Sequence, residues 1–259
     1  MKFKKLFAGV AAAATLLAGM AFGTGAANAA ETTVDTAATV TFKASKEKQL
    51  TSAQLSAYKI ADYVNYGTAK TPVYGVKTAA GANRTKLAAA LTAAGFQNVP
   101  IDGTTDLMAW AMNQKTTTDT DGTVTQVQFD QSETRPWNNP SVTRKFADAL
   151  QAGNPFTATA DPFVLNKATG NDTDGWTATN KTALTAGVYL FLDGNASTDT
   201  LTQAVPMIVS TGSVDAEGVL SLGDSTAEVD MKSTVSGTQT KSTTCLLYTS
   251  PSPRDRSVS

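Results

Sequence analysis

The stretch Ala186-Gly187-Val188-Tyr189-Leu190-Phe191-Leu192-Asp193 most limits what this chain can fold into. It is dense in β-formers and ends at Asp193-Gly194, a turn signal. Ala204–Ser210 follows as a second strand, and Pro206 inside it restricts that strand to an edge or a bulge, because proline has no N–H for a ladder. Period-two alternation predicts further strands over Ala38–Ala44, Leu55–Val64, Val124–Phe129, Gly218–Leu222 and Ala227–Met231. Val73–Val76 and Trp176–Thr179 are shorter strand candidates. The pattern is mainly β.

Helices interrupt it. Arg84–Ala94 has good helix formers with Leu87 and Leu91 one turn apart, and Gly95 closes it. Thr105–Met112 reads as a second, short helix with Asp106 near its start. Pro140–Ala152 carries the clearest helical signal. Asn139 can cap it, Pro140 fits its first turn, Val142, Phe146 and Leu150 share one face, and Gly153-Asn154-Pro155 stops it.

Composition narrows the chemistry. The 259 residues include no histidine and one cysteine, so Ser-His-Asp and Cys-His machinery, an intramolecular disulfide and a Cys-rich zinc site are excluded. A net charge of −1 argues against nucleic acid as a partner, since phosphate binding needs an excess of Lys and Arg. No cofactor and no metal site is expected. Asp119–Gly122 and Asn171–Gly175 lack EF-hand spacing and read as turns. Trp110, Trp137 and Trp176 are better explained by packing than by a ligand surface.

The ends are expected to lie outside the fold. Lys2, Lys4 and Lys5 precede the apolar stretch Leu6–Phe22, and Ala27-Asn28-Ala29 fits a small-x-small cleavage site. Residues 1–29 therefore read as a bacterial secretory signal, and the mature chain is expected outside the cell. At the other end, Cys245–Asp255 is similar, residue for residue, to translated transposase-adapter DNA from sequencing libraries. Residues 245–259 are read as an artefact of that kind, with the natural chain expected to continue beyond about Thr244. The body divides into a domain over 30–233 and a linker, or the start of another domain, over 234–244.

Within that body, the Val40-Thr41-Phe42-Lys43 strand, Ser56-Ala57-Tyr58-Lys59-Ile60, Lys145–Leu150, Leu184–Phe191 and Val205–Val209 follow one another in a distinctive order. In order and spacing they resemble the N-terminal domain of sortase-assembled fimbrial subunits of Gram-positive bacteria, with the actinobacterial, bifidobacteria-like members nearest. The resemblance implies an Ig-like β-sandwich with inserted helices. It implies a structural, non-enzymatic pilin at the cell wall, with a sortase, other pilin subunits and a host glycan or matrix protein as partners. The membrane enters only through a C-terminal sorting signal that this sequence does not contain.

The resemblance also implies site residues. Family members accept a neighbour's C-terminal threonine on a lysine in a Val-Tyr-Pro-Lys-Asn motif. The matching place reads Val229-Asp230-Met231-Lys232-Ser233, which keeps Val229 and Lys232 but lacks the Tyr, Pro and Asn. Lys232 is the sortase-acceptor candidate, and the departures point towards an ancillary or tip subunit. Intramolecular isopeptide bonds are a second family trait. Lys43 and Asp230 are the candidates, on first and last strands, with Asp193 where related modules place a catalytic acid. Lys241 is the candidate for a following domain. The alternatives are a wall-anchored adhesin that is never polymerised, and a secreted carbohydrate-active enzyme. The enzyme would need a carboxylate pair, and the sequence has no acidic cluster that suggests one.

Overall fold

A computed structural model describes residues 31–130, 136–195 and 203–234. The signal segment, Lys241 and the adapter-like tail lie outside the described residues. Two sheets face each other. One is six-stranded: Leu55–Asn65 pairs along one edge with Gly187–Asp193 and Thr32–Thr33 and along the other with Tyr74–Thr78 and Ala160–Phe163, and Gly187–Asp193 pairs in turn with Met207–Ser210. The other is five-stranded, in the order Leu184–Thr185, Ala37–Ala44, Gly175–Thr179, Thr169–Asn171, with Thr226–Asp230 parallel to Ala37–Ala44. The architecture is mainly β, an Ig-like sandwich with helices added.

Gly187–Asp193 is central because both its faces are covered. Tyr189 and Phe191 point between the sheets, where they join Val40, Phe42, Ala57, Phe163, Met207, Val209 and Val229. Val188 and Leu190 point the other way, into a second core with Ile60, Tyr63, Ile208 and the helices. The β-density of this stretch thus reports a strand buried on two sides. Phe42, Phe163 and Phe191 form the aromatic heart of the sandwich, with ring centroids 5.0–5.9 Å apart.

The helices cover the outer face of the six-stranded sheet. Arg84–Ala94 is capped by Asn83, whose side chain accepts from the Lys86 amide, and Gly95 ends it at φ 108°. Leu107–Ala111 starts at Asp106, which accepts from the Ala109 amide. Pro140–Gly153 follows Asn139, whose Oδ1 accepts from the Ser141 amide at 3.0 Å. Trp137 packs between Phe96, to which it is tilted, and Phe146, which it meets edge-on, and donates to the Ala111 carbonyl. Tyr63 is fully buried beneath this layer; desolvation pushes its phenol up to about 12, partly offset by its bond with Ser210.

Several boundaries differ from expectation. Ala204–Ser210 is two pieces, Gln203–Ala204 and Met207–Ser210, divided at Val205-Pro206. Met207–Ser210 lies at a sheet edge, as the proline requires. A one-and-a-half-turn helix, Glu47–Thr51, precedes Leu55–Asn65. Gln114–Thr118 is an extra strand that pairs with Val124–Phe129.

Candidate functional site

The first and last strands do lie side by side. Thr226–Asp230 runs parallel to Ala37–Ala44, and Asp230 is the Cα partner of Lys43. Alternation decides what that means. Val40, Phe42 and Ala44 are buried, so Thr39, Thr41 and Lys43 point to solvent; Val229 is buried, so Glu228 and Asp230 do too. Lys43 and Glu228 form an ion pair with side chains 42% and 64% exposed. The hydrogen bond to Glu228 is the main influence holding the Lys43 ammonium above its ordinary pKa, with smaller help from the charges of Glu228 and Asp230.

An amide bond between Lys43 and Asp230 needs a neutral amine. Burial would favour that state, whereas two carboxylates beside an exposed ammonium favour the charged one. We expect the intact mass of the purified chain to equal that of its unmodified sequence. A deficit of one water, about 18 Da, mapped to Lys43 and Asp230 would refute this expectation.

Asp193 belongs to the other sheet and is not brought to Lys43. It is buried at the end of the Gly187–Asp193 strand. Its Oδ1 accepts from the amides of Gln54 and Asn195, each at 3.0 Å, and its Oδ2 from the amide of Ala204 at 2.9 Å. The Asn195 side chain continues the tie by donating to the Ser52 carbonyl. Asp193 therefore joins three backbone segments at one end of the sandwich.

Lys232 lies two residues beyond the end of the last sandwich strand, Thr226–Asp230. The preceding Met231 is buried, and its amide donates to the Lys43 carbonyl at 2.7 Å. The Lys232 carbonyl accepts from the Val205 amide at 2.9 Å, and Ser233–Thr234 pairs with Gln203–Ala204. The backbone at Lys232 is thus anchored on two sides, while its side chain is partly exposed.

A groove of about 720 Å³ is walled by the helix Glu47–Thr51, the start of Leu55–Asn65 and the strand Ala160–Phe163 with the turn after it. Glu47, Gln54, Asp161 and Lys167 give it polar walls, and Leu50, Leu55 and Phe163 line it with carbon. Its helix also touches the residue after the strand Thr226–Asp230, since Gln49 Nε2 donates to the Met231 carbonyl at 3.5 Å.

No family model and no curated protein matches the chain. Among solved structures, it is similar to the T6 backbone pilin of serotype M6 Streptococcus pyogenes, a modular three-domain protein with variable loops and extensions. The identity is 15%, the TM-score is 0.32, and the match covers 76% of this chain and 28% of that pilin.

One functional-looking residue escaped sequence reasoning. Lys59 lies on the inner face of the six-stranded sheet, opposite Tyr189. A register shift in this pairing, between Val188 and Tyr189, lets Asp62 sit on the same face, and Lys59 Nζ meets Asp62 Oδ1 at 2.7 Å. The same ammonium donates to Thr185 Oγ1 of the opposing sheet at 2.9 Å. With side chains only 13% and 20% exposed, this pair stitches the sheets at their rim. The signal available was Gly187, where a Cβ would stand 2.4 Å from Lys59 Cε.

The acidic turns hold themselves. Asn171 Oδ1 accepts from the amides of Thr173 and Asp174, and Asp121 Oδ1 from that of Thr123. Among the described residues no group of three or more acidic side chains is placed to hold a metal ion. Also among them, no helix is long and apolar enough to cross a membrane.

Proposed function

We propose that this chain is a surface subunit of the pilin kind, joined to its neighbours by a sortase through Lys232. The observation that carries the reading is the setting of Lys232. It leaves a backbone fixed by the Lys43 carbonyl before it and the Val205 amide on it. A lysine presented this way costs a sortase little ordering entropy when it docks. In the reaction, the lysine amine attacks the thioester that joins the sortase cysteine to a threonine. The carbon–sulfur bond breaks, the thiol leaves, and an isopeptide forms. The proton on Lys232 must go first to a base, which the sortase has to supply.

In this reading the neighbouring subunits are further pilin-like chains, and the cell wall is the anchoring site. Adhesion to a host glycan or matrix protein is a further role for the exposed loops. The test is to incubate the purified chain with a pilus-class sortase and a peptide bearing its sorting motif, then map the product by mass spectrometry. We expect the peptide on Lys232, loss of the adduct in Lys232→Arg, and retention in Lys43→Arg. An adduct spread over other lysines, or none, defeats the proposal.

A further inference from the structure

Asp230 is the charged residue nearest to Lys232 along the chain. The ladder of its strand runs one residue past Asp230, because the Met231 amide donates to the Lys43 carbonyl. Val229 and Met231 point inward and are buried. Alternation therefore turns Glu228, Asp230 and Lys232 outward on one face. Two residues of extended chain span about 6.6–6.8 Å, so Asp230 stands beside Lys232.

This face carries a row of alternating charge: Glu228, Lys43, Asp230, Lys232. Lys43 is opposite Asp230 in register, yet its ammonium bonds to Glu228. Asp230 makes no hydrogen bond or ion pair among the described residues. While Lys232 is protonated, two carboxylates face two ammonium groups and the row is balanced. Deprotonation of Lys232, and the amide that follows, remove one positive charge. The row is then left at a net −1, with Asp230 as the carboxylate that lacks a bonded partner.

An enzyme that reaches Lys232 covers this face. A specific protein contact buries about 800 Å² on each partner, so a residue one strand repeat from the acceptor falls inside it. A carboxylate covered without a partner is costly. We infer that Asp230 sets the specificity of the acceptor site, and that the sortase serving this chain lays an Arg or Lys side chain against it. The inference rests on the reading of Lys232 as the acceptor. The cation steers the two proteins together and offsets the charge left when Lys232 loses its proton.

The test follows the rate at which a pilus-class sortase modifies Lys232, at saturating sorting-motif peptide, against the concentration of the purified chain and of salt. We expect Asp230→Lys to lower kcat/KM about tenfold and Asp230→Asn about threefold. Both should flatten the decline that salt produces with the parent. Lys43→Gln leaves Glu228 unpaired and should act in the opposite sense, raising kcat/KM about threefold and steepening the salt dependence. A purely structural part for Asp230 would not link these changes to the sign of the charge. An adduct that still forms on Lys232, with rate and salt slope indifferent to Asp230→Lys, overturns this inference and leaves the acceptor reading standing. No adduct on Lys232 of the parent overturns both.

Discussion

Phe191→Ala is expected to remove about 3–5 kcal/mol of stability, enough to consume much of the 5–15 kcal/mol typical of a domain. Phe191 is fully buried between the sheets. Its ring meets Phe42 edge-on at 5.1 Å and 87°, and Phe163 at 5.0 Å. These three rings come from both sheets, Phe42 from the five-stranded and the others from the six-stranded one. Truncation loses transfer energy and leaves a cavity where rigid strands cannot close in. It also deletes three aromatic pairs, with Phe42, Phe163 and Tyr189, each worth about 0.5–1.5 kcal/mol beyond area. Urea unfolding should show a lower midpoint with an unchanged slope. Ile101→Ala is the control: Ile101 is 92% exposed, and its loss should stay within about 0.5 kcal/mol. Equal effects at the two sites would mean that the sheets do not pack as described.

The strands that build this core were legible because their side chains obey one period and their ends carry turn residues. Ala37–Ala44 alternates cleanly since one face is wet and one dry. Pro140–Gly153 was legible because cap, first-turn proline and apolar stripe agree. Gln114–Thr118 was missed for the opposite reason: a Gln-Lys-Thr-Thr-Thr run is polar on both faces and has no period to read. Ala160–Phe163 contains a proline and was hidden by it, which is tolerable only because it is an edge strand. The neighbouring of Lys43 and Asp230 followed from first and last strands meeting. Which face they occupy was also written in the alternation, since buried Phe42 and Val229 send both outward. The partners of Asp193 could not be read, because Gln54, Asn195 and Ala204 supply backbone amides, which any residue type would offer.

Those amides give Asp193 its expected phenotype. In Asp193→Ala three N–H groups lose their acceptor at a buried site, at about 1–3 kcal/mol for each that water cannot reach. We expect a loss of several kcal/mol, with amide exchange accelerating first at Gln54, Asn195 and Ala204. Asp193→Asn separates geometry from charge. Its one carbonyl oxygen can serve Gln54 and Asn195 from the Oδ1 position, but its NH2 then faces the Ala204 amide, donor against donor. It should cost about 1–3 kcal/mol and loosen Ala204 alone. The position decides more than stability, because Gln203–Ala204 is the strand that pairs with Ser233–Thr234, and the Val205 amide holds the Lys232 carbonyl. Loosening Ala204 therefore loosens the frame around Lys232. If pilus-class cross-linking uses that frame, Asp193→Asn should slow modification of Lys232 while leaving its sidedness intact and the intact mass changed only by the substitution. A variant that unfolds no more easily than the parent would show that the three amides find other acceptors, and that Asp193 does not close this end of the sandwich.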